Sequence, residues 1–304
     1  MKSLHQAVVI VIALLATLLF CFPVQAEVGL SGDLEIDTAY TTTSTDPSTD
    51  TTQYDLNGRI KVVPTARTEV GNLFFEAKAE ILAKTDNTDG NGVQVDDAYG
   101  KIGTSTFDVQ IGRFEAWVLQ DESNDMLIAE APTGVTRYEA NYARGRMDGA
   151  GQLALHVLPN DMFGLEVGIV YGKESNDFND AALTEAIDVN MIGFRPVIKT
   201  NFGPIEFAVG ADMLNTTPQD DSLEYEISKL GFGARVKATF GIATLGISYA
   251  SGTESGSDAA GHDLADQTTN SYGGYCDLAI GDDVLTLAGF TTNWEEGLPI
   301  DNII

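Results

Sequence analysis

Apolar and polar residues alternate along most of the chain, and the first such stretch covers residues 28–40. Its even positions carry Val28, Leu30, Leu34, Ile36 and Tyr40, and its odd positions carry Ser31, Asp33, Glu35 and Asp37. Successive side chains of a strand point to opposite faces, so this pattern predicts a strand with one apolar and one acidic face. The stretch exceeds the roughly 5–6 residues of a typical soluble strand and suits the ~9–11 residues of a tilted membrane strand.

The alternation recurs along the chain almost to its end. The connections between the alternating stretches are by turns short and long. Short connections are expected near residues 66–71, 103–105, 159–161, 201–204, 241–242 and 281–283, and long ones near 41–52, 85–92, 115–134, 174–186, 215–223 and 251–270. Short turns at one end and long loops at the other are typical of outer-membrane barrels. We therefore predict an all-β fold, a transmembrane antiparallel β-barrel of about 14 strands. Asp33, Glu35 and Asp37 would then face the lumen.

The strand number depends on one segment. Thr136–Arg146 is a fourteenth strand, an extension of the following strand, or part of the long loop before it. Bacterial single-chain barrels have even strand numbers. The sequence therefore leaves open 14 strands, 16 strands or an incomplete barrel.

Residues 1–26 have the layout of a secretory signal peptide. Lys2 and His5 precede an apolar run from Ala7 to Phe22, which is followed by Pro23 and Val24-Gln25-Ala26. A basic start, an apolar middle and small residues near the end are typical of a cleaved export signal. The mature chain, residues 27–304, contains no further apolar stretch of helix-spanning length, so it could cross a membrane only as a closed barrel. These features predict the outer membrane of a Gram-negative bacterium as its location.

Charge and composition exclude several functions. The 304 residues carry a formal charge of −28, which argues against a nucleic-acid partner because phosphate contacts need a basic surface. Two Cys and three His supply little for a structural metal site, and no nucleophile motif accompanies the histidines. We therefore expect no enzyme, no cofactor and no metal centre. Residues 85–97 weakly resemble a calcium loop, but a polar turn explains them better because Ala98 stands where the bidentate Glu would be.

Charged residues of both signs concentrate around the third long connection. Basic residues bracket it and acidic residues fill it: Arg113, Arg137, Arg144 and Arg146 against Glu115, Asp121, Glu122 and Asp125. If residues 115–135 fold into the pore, carboxylates face guanidinium groups across a constriction, and such charge rings determine pore selectivity. The alternative is a solvated loop held by surface ion pairs.

A family resemblance is carried by the same region. Val109-Gln-Ile-Gly-Arg-Phe-Glu-Ala-Trp-Val-Leu119, followed by Asp125-Met-Leu-Ile128, resembles the sugar porins of Gram-negative outer membranes, of the raffinose and cyclodextrin type. The resemblance implies that Arg113 and Glu115 lie at the pore constriction, with Trp117 at the base of the loop. It is specific over roughly twenty residues, and Val118 and the C-terminus depart from the pattern.

The sequence therefore predicts a water-filled channel for passive diffusion of small hydrophilic solutes, with sugars and oligosaccharides favoured. The alternatives are a general cation-preferring porin, and a structural or adhesive barrel that transports nothing. A secreted β-sandwich that binds glycans is a further alternative. The expected partners are outer-membrane lipid, lipopolysaccharide and the solutes themselves. The sequence does not decide between a homotrimer and a monomer.

Overall fold

The chain folds into one antiparallel β-sheet. The computed structural model describes residues 26–44, 50–85, 92–117, 150–176, 187–219, 226–257, 266–281 and 283–295. Thirteen strands run through these ranges: β1 Glu27–Ser44, β2 Asp50–Val70, β3 Leu73–Thr85, β4 Gly92–Gly103, β5 Phe107–Arg113, β6 Ala150–Asn160, β7 Phe163–Asn176, β8 Ile187–Phe202, β9 Ile205–Pro218, β10 Glu226–Phe240, β11 Ala243–Ser257, β12 Gln267–Ile280 and β13 Asp283–Glu295. Each strand pairs with its neighbours in chain order. The all-β antiparallel barrel predicted from the alternation is confirmed.

Short and long connections alternate along the chain as predicted. Short turns join β2 to β3, β4 to β5, β6 to β7, β8 to β9, β10 to β11 and β12 to β13. Four of these turns contain a glycine with φ between 59° and 67°: Gly71, Gly203, Gly241 and Gly281. Glycine suits this left-handed conformation because it has no Cβ. All six short turns lie at one end of the sheet, so all the longer connections lie at the other.

The fourteenth strand is not inserted where the sequence allowed it. β5 pairs directly with β6, with Asp108 opposite His156 and Gly112 opposite Gln152. No strand can therefore lie between them in the sheet, and Thr136–Arg146 itself lies outside the described residues. Because the described strands number thirteen, β1 and β13 run in the same direction, and a seam between these two edges would be parallel.

The two faces of the sheet have the reverse polarity of a soluble protein. The outward face carries exposed apolar side chains such as Leu30 (76%), Ile192 (56%) and Ile247 (70%). The inward face buries polar side chains, among them Gln152 (1%) and Asp212 (0%). A contiguous exposed apolar surface of this extent indicates contact with lipid rather than with water.

Large apolar side chains form two outward belts. Four strands carry a matching pair eight residues apart: Phe163 and Tyr171, Phe194 and Phe202, Phe232 and Phe240, Tyr272 and Ile280. Eight residues span roughly 26 Å along a strand, or about 20 Å across the membrane at a tilt of about 40°. This spacing is close to the ~25 Å apolar band between the aromatic girdles of outer-membrane barrels. The described residues contain no helix that is long and apolar enough to span a membrane.

Candidate functional site

The chain turns into the barrel at the end of β5. Gly112 has a φ of 135°, and a Cβ there would collide with the Ala98 carbonyl oxygen, so this turn requires glycine. The next residues lie inside, with Phe114 only 1% exposed. The Phe114 amide donates to Gln152 Oε1 at 2.8 Å, and the Trp117 amide donates to the Glu166 carboxylate at 3.2 Å.

The order of these contacts gives the direction of the chain. Gln152 lies opposite Gly112, near the long-loop end of β5. Glu166 pairs with His156, four residues closer to the β6–β7 turn. Residues 114–117 therefore run back along the inner face towards the short turns, antiparallel to β5.

Three polar side chains form a row across β5, β6 and β7 at the level of Trp117. His156 Nδ1 lies 2.6 Å from Asp108 Oδ1, and His156 Nε2 lies 3.0 Å from Glu166 Oε2. All three side chains are buried. Carboxylates only accept hydrogen bonds, so both contacts form together when both ring nitrogens carry a proton. Lys101 Nζ, 3.8 Å from Asp108 Oδ1, adds a second positive charge at the end of this row.

The Trp117 ring packs on the inner face of the wall, across three neighbouring strands. Its ring stacks on His156 of β6 with centroids 5.3 Å apart, and Lys199 Nζ of β8 lies 4.7 Å from its centroid. A Cβ on Gly164 of β7 would come within 2.8 Å of Trp117 Cη2. Since β7 lies between β6 and β8, the ring stands with its edge on Gly164 and its faces towards His156 and Lys199.

Phe114, three residues earlier, is held in the same way. Its ring meets Tyr99 edge-on, with centroids 6.1 Å apart, and Arg195 lies 5.3 Å from the ring centroid. Arg195 is fully buried, and a Cβ on Gly168 would collide with its guanidinium group. Bare glycine backbone thus leaves the space in which these large side chains lie against the wall.

The wall from β2 to β5 carries alternating charges. Lys61 lies 3.4 Å from Glu80, and Lys78 pairs with Glu80 and with Asp97, the latter at 3.6 Å. Buried charges of opposite sign lower each other's desolvation cost when paired. In this patch the carboxylates are therefore paired with lysines, although the described residues as a whole carry 25 acidic against 13 basic residues, a formal charge of −12.

A cavity of about 470 Å³ opens below Trp117 at the short-turn end. Hydroxyl, amide and charged side chains line it, among them Ser105, Asn160, Asp161, Lys199 and Asn201. Asn201 Nδ2 also donates to the Asp161 carbonyl at 3.3 Å, which joins two neighbouring turns. Trp117, Leu158, Pro159 and Phe163 also line the cavity, so the mouth of the barrel at this end is mixed in polarity and ordered by contacts between turns.

The predicted site residues fall into three groups. Arg113 ends β5 and donates to the Asp96 carbonyl at 3.3 Å, while Glu115 is exposed and Trp117 packs on the inner wall between His156 and Lys199. Asp33 lies opposite Lys61 in the β1–β2 register, and Glu35 and Asp37 lie opposite Arg59 and Asn57. The remaining predicted residues lie outside the described residues: Asp121, Glu122, Asp125, Arg137, Arg144 and Arg146. Of residues 85–97, Gly92–Asp97 belong to β4, so the second half of the calcium-like segment is strand.

The sequence-based site omitted most of the residues that hold the loop base. These residues are Asp108, Gln152, His156, Gly164, Glu166, Arg195 and Lys199. The sequence does place each of them on the inward face of its strand, through the alternation of apolar and polar positions. That alternation does not indicate which inward residues touch one another.

Comparison with known proteins identifies the fold. No family model and no curated protein matches the sequence. Among solved structures, the anion-selective porin from Comamonas acidovorans is similar, with a TM-score of 0.56 and 17% identity over 89% of this chain and 80% of that one. In-vitro folded OmpT in its trimer form, an outer membrane protein of Vibrio cholerae, gives a TM-score of 0.46 at 11% identity over 89% and 99% of the two chains. Salmonella typhi OmpF in complex with daunomycin gives 0.41 at 14% over 88% and 97%. The chain therefore has the antiparallel barrel fold of outer-membrane porins.

Proposed function

We propose that this protein is an outer-membrane porin, a water-filled channel through which small hydrophilic solutes diffuse passively. The observation that carries the proposal is the reversed polarity of the barrel: lipid-compatible side chains outside, and charged and amide side chains inside. A pore needs this arrangement because its wall must hydrate solutes while its exterior meets hydrocarbon. The chain would be exported by the signal peptide of residues 1–26, which is then cleaved. In the outer membrane it would contact lipid and lipopolysaccharide.

Sugars and oligosaccharides are the favoured solutes. Support comes from the resemblance of residues 109–128 to the sugar porins and from the polar lining of the lumen. Hydroxyl groups of a saccharide can bond to carboxylate, guanidinium and amide groups. A general porin with a preference for cations is the second candidate, favoured by the formal charge of −28. The described residues alone carry 25 acidic against 13 basic residues, so this preference would arise from the strands as well as from the long connections.

Single-channel current in a planar bilayer under a salt gradient tests the proposal. We expect open-channel current with a cation-positive reversal potential and interruptions when oligosaccharides are added. Current without interruption would leave the general porin. Absence of current from folded protein would contradict the proposal and favour a structural or adhesive barrel.

Arg113→Ala tests the constriction. We expect altered ion selectivity and weaker sugar block with unchanged folding, because Arg113 would present a fixed positive charge at the entry of the loop. Selectivity, block and the heat-dependent gel mobility of the folded barrel provide the measurements. Arg67→Ala is the matched control, since Arg67 is 45% exposed and lies next to the β2–β3 turn. Equal selectivity and sugar block in wild type and Arg113→Ala would exclude Arg113 from the constriction.

A further inference from the structure

We propose that the cavity below Trp117 is a binding site for a saccharide unit, separate from the predicted constriction and placed at the short-turn end of the barrel. The cavity has a volume of about 470 Å³, within the ~300–1,000 Å³ of small-molecule sites. The β4–β5, β6–β7 and β8–β9 turns and the strand ends beside them form its walls. That the ligand is a solute in transit rests on the proposed porin function, whereas the binding itself does not.

Hydrogen bonds outside the sheet ladder tie these three turns together. The Leu158 amide donates to the Thr106 carbonyl at 2.7 Å, which joins the β4–β5 turn to the end of β6. The Asn201 amide donates to the Met162 carbonyl at 2.8 Å, and Asn201 Nδ2 donates to the Asp161 carbonyl at 3.3 Å. These two bonds join the β6–β7 turn to the end of β8. The walls of the cavity are therefore a preformed framework, as in most small-molecule sites.

Two polar groups that line the cavity are not used by this framework. The β6–β7 turn is held through the backbone carbonyl of Asp161, not through its carboxylate. Among the residues that the structure describes, neither the Asp161 carboxylate nor the Ser105 hydroxyl of the β4–β5 turn has a hydrogen-bond partner. A carboxylate accepts several hydrogen bonds, and a hydroxyl both donates and accepts. Together they suit a ligand with hydroxyl groups on more than one side.

The opposite part of the lining is apolar and begins at Trp117. His156 stacks on its ring and Lys199 Nζ lies over the ring as well. The Cη2 edge of the ring lies against Gly164, which also lines the cavity. The ligand would therefore meet the edge of this ring. The other apolar side chains of the lining are Leu158, Pro159 and Phe163.

A saccharide fits a lining of this mixed polarity. A pyranose ring presents C–H groups beside its hydroxyl groups, so it packs on apolar side chains while its hydroxyl groups bond to polar ones. A wholly apolar ligand would cover the Asp161 carboxylate without hydrogen bonds, which is unfavourable. Lys199 and Asp161 place opposite charges in the lining, so the site favours a neutral ligand over an ion.

The test uses Trp117 as the reporter, because its ring lines the cavity. The chain has two tryptophans, Trp117 and Trp294, so Trp294→Phe leaves Trp117 as the single indole fluorophore. Raffinose, a neutral trisaccharide, is titrated onto this folded variant in lipid nanodiscs, where both ends of the barrel are accessible. We expect a saturable change of the Trp117 emission, and this measurement requires no current through the pore.

Asp161→Ala in this background removes the carboxylate and keeps the backbone carbonyl that binds Asn201. We expect it to weaken raffinose binding by about tenfold, because hydrogen bonds from a charged group are lost. Asp161→Asn keeps an acceptor oxygen and should weaken binding less. Asn72→Ala is the matched control, since Asn72 is exposed in the β2–β3 turn and does not line the cavity.

A second variant tests the site by volume. Ser105 is exposed on its turn, so Ser105→Tyr adds a ring to the cavity without displacing packed side chains. We expect this variant to lose raffinose binding, whereas Asn72→Tyr should bind raffinose like the parent. Heat-dependent gel mobility verifies the folded barrel in each variant.

The outcomes separate the site from the pore. Trp117 emission that does not change with raffinose in the folded parent would overturn the site, and so would parent affinity in both Asp161→Ala and Ser105→Tyr. Raffinose binding that these variants weaken, in a protein that conducts no current, would support the site and contradict the porin function.

A further arm distinguishes the source of the saccharide. The short turns of an outer-membrane barrel face the periplasm, so the glycan of the cell wall also reaches this end. Cosedimentation with purified cell-wall glycan is measured for the parent and for Asp161→Ala. Equal cosedimentation of the two would support a solute as the ligand. Cosedimentation that Asp161→Ala abolishes would support the saccharide site and overturn its assignment to a solute in transit.

Discussion

Leu245→Arg is expected to destabilise the barrel, whereas Thr244→Arg, one residue earlier on β11, is expected to be tolerated. Leu245 is 47% exposed on the outward apolar face, and Thr244 lies on the inward face, 3.1 Å from Thr239. Leu245 pairs with Ala238, two residues inside the belt at Phe240. An arginine on the lipid face costs about 2–4 kcal/mol at the bilayer midplane and less towards the interfaces, while inward substitutions mainly change the lumen. The two variants differ only in the face that receives the charge.

The measurement is the free energy of unfolding in lipid vesicles, obtained from urea titration and the heat-dependent gel mobility. Leu245→Ala controls for the lost side-chain volume. Equal destabilisation by both arginine variants would contradict the assignment of the two faces to lipid and lumen. A destabilised Thr244→Arg with a stable Leu245→Arg would reverse that assignment.

His156→Leu is expected to destabilise the barrel by about 3–5 kcal/mol at neutral pH, because removal of one partner from a buried charged cluster leaves the others uncompensated. Asp108 and Glu166 lie on either side of the imidazole, and two buried carboxylates without it repel each other. Urea unfolding at neutral pH measures the effect.

The control places neutral amides on both sides of the same substitution. In an Asp108→Asn, Glu166→Gln background, His156→Leu should cost clearly less than in the wild type, because no carboxylate is left uncompensated. An equal cost in both backgrounds would show that His156 contributes through packing against Trp117 alone.

The sequence predicted the strands and their faces because membrane strands impose a strict period of two. The six short turns were located to within a few residues, since glycine and polar residues interrupt the alternation at each of them. The strand number was harder to predict. Residues 136–146 show a weak alternation that suggests a strand. Only the direct pairing of β5 with β6 excludes a strand between those two.

The candidate site was predicted less well than the fold. The resemblance around Arg113 directed attention to the entry of the long connection, and the structure describes that entry as an inward turn at Gly112 with Phe114 buried behind it. The resemblance did not indicate His156, Glu166 or Lys199. These residues are separated along the chain from Trp117 by between 39 and 82 positions, and nothing local in the sequence couples them to it.

The sequence by itself determined that each strand has a lipid face and a polar face, because alternation is a local consequence of strand geometry. It also determined which end of the barrel carries the short turns. The register between strands was decided only by the tertiary structure, because each pairing depends on backbone hydrogen bonds and side chains from distant segments. The row of Asp108, His156 and Glu166 exists because that register aligns three inward positions at one level, and the bare backbone of Gly164 beside it leaves room for Trp117.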